Sequence, residues 1–368
     1  MKIQRVFSLS ILGVLLLLVV TVGPAAAAVA EKTTVVADVW GRRVEIPQRV
    51  ERIVCLGSGA PRIAAYLGVM DLLVGAEKHD AETLTALRDY NPVHRERLAG
   101  LAVVGVGGGS GANNGYPEEI ILAAPDVILA GFTAEAADEL FAQTGIPVVC
   151  VRYLSVNFVD ETFYGAMRTF AEVVGAEERC EAVLSFIDGC KADLARRTAA
   201  VADADKRKAY AGAVTFSGRH GFAGTYSHFG PFMGIGALNV ADEVERSGYF
   251  EAELERVIVW DPDVIFLDPG NMDLVNDEYR TNPAFFDGLR AVREGRVYTM
   301  PSFNNCGTNV TYAIMDAYYA GTVLFPEAFA DVDMAEKSAE ILTFLLGRDI
   351  YGLMAEKGLY YGPIAIGK

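Results

Sequence analysis

The sequence is short of positive charge: 32 lysines and arginines stand against 48 aspartates and glutamates, a formal net charge of −16 over 368 residues. Nucleic-acid-binding surfaces carry a basic excess, so nucleic acid is excluded as a partner. Cysteines number five (Cys55, Cys150, Cys180, Cys190, Cys306), an odd count too sparse for a disulfide framework. Cys180 and Cys190 fall on one predicted helix, about 15 Å apart at helical rise and too far to bridge, so free thiols are expected. There is no G-x-S-x-G elbow, no H-E-x-x-H pair and no glycine-rich loop ending in Gly-Lys-Ser/Thr. The chain is therefore read as a binder with no catalysis and no cofactor of its own. Beyond residue 30 no stretch resembles a transmembrane helix.

The first thirty residues do carry a long apolar run. Lys2 and Arg5 precede "VFSLSILGVLLLLVVTVG", and "AAAAVA" supplies small residues before residue 31. That is the pattern of an export signal, with cleavage expected after Ala30. The run is also near the lower length limit for a membrane span, so retention by an uncleaved N-terminal segment is the alternative. Either way the chain is expected to act outside the cytoplasm, in the periplasm or on the extracellular face of the membrane.

What the sequence contains twice is more informative. "EEIILAAPDVILA" (118–130) returns as "ERVIVWDPDVIFL" (255–267), offset by 137 residues with six of thirteen positions identical. Each copy reads as a helix, a stop at proline and a short apolar strand. Strands are expected at 52–57, 72–76, 102–106, 127–131 and 147–151. Helices are expected between them at "PRIAAYLG", "ETLTALRDY", "PEEIILAA" and "AEAADELFAQTG". The second half repeats the theme with strands at 210–216, "VIFLD" and 296–300, and helices near 231–238, at "AELERVIVW" and at "PAFFDGLRA". Alternation of this kind predicts an α/β fold with two doubly wound parallel-sheet lobes.

Between the halves, Asp160 caps one predicted helix that Gly175 ends. From Glu177 the apolar positions Cys180, Val183, Leu184, Ile187, Cys190, Leu194 and Val201 step by three and four. They predict a single amphipathic helix of roughly 25 residues, near 40 Å, acting as a strut. The expected organisation is a signal peptide (1–30), an N-terminal lobe (35–157), connecting helices (158–205), a C-terminal lobe (206–330) and a helical extension (331–368) with a stop at Gly347.

This order of parts resembles the periplasmic substrate-binding proteins of ABC importers for iron-siderophores, haem and vitamin B12, the two-lobed type with a helical backbone. The resemblance covers about residues 35–346 and rests on "RIVCLGSGAPRIAAYLGVMDLLVGAEKHD", "PEEIILAAPDVILA" and "AELERVIVWDPDVIFLD". It implies capture of a small-molecule metal chelate between the lobes and delivery to an importer permease by a monomer. It also implies that Glu118 and Glu255 dock onto permease arginines, with Glu119 and Glu251 near enough to substitute. The plainer role for each glutamate is to complement its own helix dipole.

Ligand contacts are expected on loops that follow strands. The first lobe offers Ser58 in "GSGAPR", His79 in "EKHD", and Asn113, Asn114 and Tyr116 in the mobile loop "GVGGGSGANNGY". By resemblance to the B12-binding member, His79 and Tyr249 stand where that protein presents aromatic groups. The second lobe offers Phe216, Arg219, His220, Tyr226 and His228 in "FSGRHGFAGTYSH", then Tyr249, Asn271, Met272, Phe303, Asn304 and Asn305. Aromatic walls with a few amide and guanidinium groups suit an iron chelate or a corrinoid. Other readings stay open. A bare metal ion would need three of His79, His94, His220 and His228 with Asp80 or Asp268. Haem would need a histidine or tyrosine ligand. A chelatase- or reductase-like enzyme and a sensor module also use scaffolds of this kind.

Overall fold

The repeated unit pins one strand to the next in each half. The computed structural model describes residues 32–108, 111–152 and 158–368; the expected export signal and part of the loop 105–116 lie outside them. Each copy is a short helix, Pro117–Ala123 or Leu254–Trp260, then a single left-handed residue and a strand, Val127–Ala130 or Val264–Leu267. The left-handed residues, Ala124 and Asp261, have φ of 46° and 44°, and each precedes a proline that disfavours further helix. The aspartate after that proline then ties down the adjacent strand. Asp126 Oδ2 accepts from the Arg52 amide and Asp263 Oδ2 from the Lys208 amide, both at 2.8 Å.

The first sheet has five parallel strands in the order Ala102–Gly105, Leu73–Glu77, Ile53–Leu56, Val127–Ala130 and Val148–Cys150. The second has the order Leu238–Asn239, Lys208–Gly212, Val264–Leu267, Val297–Thr299 and Gly362–Pro363; the last strand alone runs antiparallel. Continuous apolar strands such as "VIL" and "VIF" are buried, as sheets covered on both faces require. The fold is thus two α/β lobes, as their alternating pattern implies.

Asp160 caps the helix Glu161–Val174 by accepting from the Thr162 and Phe163 amides, and Gly175 ends it in the left-handed region. The strut follows as Glu177–Thr198, 22 residues and about 33 Å long. Its buried stripe is the one read from the sequence as far as Leu194; the helix stops short of Val201. Arg179 donates to the Tyr66 carbonyl near one end, and Arg197 pairs with Asp193 and Asp331 near the other.

Some expectations fail. The helix expected near 231–238 is only Gly230–Gly234, and Leu238–Asn239 is a strand, paired with Lys208–Gly212. Residues 82–90 are turns rather than a helix. Their carbonyls serve other partners: Ala86 O accepts from the Tyr312 hydroxyl and Leu87 O from the Asn309 amide. The strand expected at 210–216 is Lys208–Gly212, because the chain leaves the sheet at Ala213, with φ of 54°. The helix Val310–Leu324 was not anticipated. Thirteen of its fifteen residues are buried, so it has no polar face to give a period. It belongs to a single apolar core that also includes Ile53 and Leu129 of the first sheet and Phe266 of the second. The two lobes therefore share an interior.

Candidate functional site

The carboxyl ends of the second sheet open onto a shallow pocket lined by Thr215, Tyr226, Phe229, Asp268, Ser302, Phe303 and Asn304, among others. An aromatic shelf adjoins the pocket and shares Tyr226 with it. An antiparallel ribbon, Gly224–Ser227 with Gly248–Glu251, sets Tyr226 directly opposite Tyr249. Phe216 stacks on Tyr249 at 5.0 Å and meets Tyr226 edge-on at 5.8 Å. His220 lies 4.5 Å from the Tyr249 ring, with its Nδ1 2.6 Å from the Tyr249 hydroxyl and 2.9 Å from Glu251. Burial, reinforced by Glu251, pushes the Tyr249 phenol upward, so it remains protonated and polar.

The loop after the last parallel strand joins this shelf to the first lobe. Asn304 donates to the Tyr226 hydroxyl at 3.2 Å. Two residues on, Cys306 Sγ is 3.5 Å from His79 Nε2, and Ser58 hydrogen-bonds to the same thiol. Beneath them lies a buried ionic lock. Arg62 Nε donates to Asp89 at 2.8 Å, and its other nitrogens reach the carbonyls of Asn305 and Cys306 and the side chain of Asn309. Asp89 also accepts from Tyr66, from Thr311 at 2.8 Å and from the Tyr90 amide at 2.9 Å. The two lobes are thus held together directly under the residues that would meet a ligand.

Each sheet presents a buried carboxyl at this edge. Burial pushes Glu77 up to about 7, although the Gly57 amide bonded to it at 2.8 Å pulls the other way. Asp268 is pushed up to about 6 by burial, against the Thr215 hydroxyl and Gly270 amide that bind it. His79 is held below its usual range by burial and by the Arg88 charge. Gly107, with φ of 86°, passes so close that a Cβ there would stand 2.7 Å from that of His79.

Ser58, His79, Phe216, His220, Tyr226, Tyr249, Asn304 and Asn305 are brought together by these contacts. Phe303 is buried against Phe229 in the pocket floor. Arg219 is exposed and reaches Asp273 and Asn271. Asn271 and Met272 are buried; the Asn271 amide is spent on Ala213 O and Thr215. His228 turns to Ser227 and Asp242. Asn113 and Asn114 fold back on their own lobe: the loop's described residues bond to Val106, Gly131 and Thr133. Tyr116 begins the helix that carries Glu118. Among the described residues no group of three or more His, Cys, Asp or Glu side chains is arranged to hold a metal ion, so the four histidines do not meet with Asp80 or Asp268 as a bare-ion site would need.

Sequence reading missed Arg62, Glu77, Asp89, Cys306 and Asn309 as parts of the site, and took Asp268 only as a possible ligand of a bare ion. A signal existed for two of those missed. Arg62 interrupts the apolar helix "PRIAAYLG", and Glu77 is the charge that ends the apolar strand "LLVGA".

The fold is shared with known proteins. A family model described as "Periplasmic binding protein" matches residues 53–303. The molybdate-binding protein MolA of Haemophilus influenzae is 26% identical, covering 82% of this chain and 87% of that protein. Its molybdate-bound crystal structure superposes with a TM-score of 0.63 at 20% identity, over 86% of this chain and 98% of that one. A periplasmic solute-binding protein of Veillonella parvula gives a TM-score of 0.69 at 18% identity, over 89% of this chain and 97% of that chain. The TroA-like protein FepB of the same organism gives 0.65 at 18% identity, over 90% and 99%.

Proposed function

The chain belongs to the periplasmic binding protein family, and from that premise we infer that it captures a preassembled metal chelate at the junction of its lobes. The family comprises exported solute-binding proteins of ABC importers, not enzymes. Among the described residues no helix is long and apolar enough to cross a membrane. The observation that carries the finer reading is the shelf of Phe216, Tyr226, Tyr249 and His220, from which one loop runs to the first lobe, Asn304 bonding Tyr226 and Cys306 meeting Ser58 and His79. A flat or caged chelate of siderophore or corrinoid type brings its own metal ligands and asks the protein for apolar area with few orienting donors. The sequence pattern adds the proposal that residues 1–30 direct export.

A second reading, a compact oxyanion, is favoured by the molybdate-binding relative. Calorimetric titration with a ferric hydroxamate, a ferric catecholate, a corrinoid and molybdate separates the two. Tight binding of one chelate, weakened at least tenfold by Tyr249→Ala, is expected. Binding of molybdate alone selects the oxyanion, and binding of none of the four rejects both.

Delivery is assigned to Glu118 and Glu255. Both are exposed, and among the described residues no ion pair holds either of them. Each starts a helix at the carboxyl edge of its sheet, and two separated carboxylates can set the register of a basic partner. Replacing both by lysine is expected to lower uptake at least tenfold while ligand affinity stays within twofold. Unchanged uptake rejects the assignment.

A further inference from the structure

The two most exposed large apolar side chains among the described residues are Leu122, at 82%, and Val259, at 81%. They occupy the same position of the repeated unit, 137 residues apart, and each is preceded by an exposed isoleucine, Ile121 at 48% and Ile258 at 52%. Both pairs lie three and four residues after the exposed glutamate of their copy, on the same helical face. The opposite face of each helix is the one that packs: Ile120 and Ala123 are buried in the first copy, Val257 and Trp260 in the second.

Chance exposure of single apolar residues is ordinary, but a matched arrangement in both lobes is not. We infer that Ile121–Leu122 and Ile258–Val259, each beside its glutamate, are paired docking faces for one membrane partner built from two like subunits. Each subunit would present an apolar patch next to a basic group. This rests on the delivery reading above and names what the partner must offer besides charge. Two equivalent faces on one chain call for two equivalent faces on the partner, which a two-fold assembly supplies. A second copy of this chain is a poor occupant: its net charge of −16 would set glutamate against glutamate at the same contact. The charge beside the glutamate is not shared, Glu119 of the first copy standing where the second has Arg256, so the common contact is the glutamate with its apolar pair.

The test places a photo-crosslinking residue in turn at 118, 122, 255 and 259 in cells that carry the importer, with adducts identified by mass spectrometry. Adducts from 122 and 259 are expected on one segment of one polytopic membrane protein. Leu122→Ser with Val259→Ser is expected to cut uptake at least tenfold and leave calorimetric ligand affinity within twofold. Adducts from 118 and 255 without any from 122 and 259 overturn this inference and leave the delivery reading standing. Adducts to this chain itself, or no membrane-protein adduct from any of the four sites, overturn both.

Discussion

Replacing Arg62 by alanine is expected to cost about 3–5 kcal/mol of folding stability, the usual penalty for removing one partner of a buried ion pair. Both side chains of the Arg62–Asp89 pair are fully buried. Without the guanidinium, Asp89 keeps its bonds to Tyr66 and Thr311 but has lost its countercharge, and the carbonyls of Asn305 and Cys306 lose their donor. Removing Asp89 as well is expected to cost less than the two single changes added together, because neither charge is then stranded. Denaturant midpoints of the three variants measure this. An Arg62→Ala loss below about 1 kcal/mol would show that the pair is not the lock described here.

Glu77→Gln is expected to act in the opposite direction, and in a pH-dependent way. In the folded chain the Glu77 carboxyl holds its proton up to about 7, against an ordinary value of 4.5. Between those limits the folded state binds more protons than the unfolded one, so stability falls as pH rises and levels off above 7. A shift of that size corresponds to about 3 kcal/mol. Glutamine does not titrate and still offers an oxygen to the Gly57 amide. The variant should therefore gain up to about 3 kcal/mol on the parent between pH 4.5 and pH 8, read from urea midpoints at each pH. Asp268 titrates in both proteins and cancels from the difference. Parallel pH curves would falsify the assignment of a proton to Glu77.

The parts of the fold that showed in the sequence are those with local periodicity. The five strands of the first lobe, the cap at Asp160, the strut and the repeated unit each follow from a run of neighbouring residues. What stayed hidden depends on partners remote in the chain. The turns at 82–90 have helical composition, yet Asn309 and Tyr312, more than two hundred residues away, take their carbonyls. The helix Val310–Leu324 is buried on nearly every side and shows no stripe. The site divides along the same line. The shelf residues were legible because aromatic groups cluster in glycine-bounded loops after strands. Arg62, Asp89 and Asn309 were not, since an ion pair between distant segments leaves no pattern in either. Asn271 and Met272 sit on the expected loop but turn inward, a choice made by the Ala213 and Thr215 acceptors.

The common interior around Val310–Leu324 also constrains how such a protein can diversify. Its halves are not exchangeable cassettes. A recombinant that took one half from a homologue would inherit one side of a jigsaw and part Arg62 and Asp89, which travel together, from Asn309 and Thr311. New cargo preferences must therefore arise by point changes along the rim, while the joined centre is inherited whole.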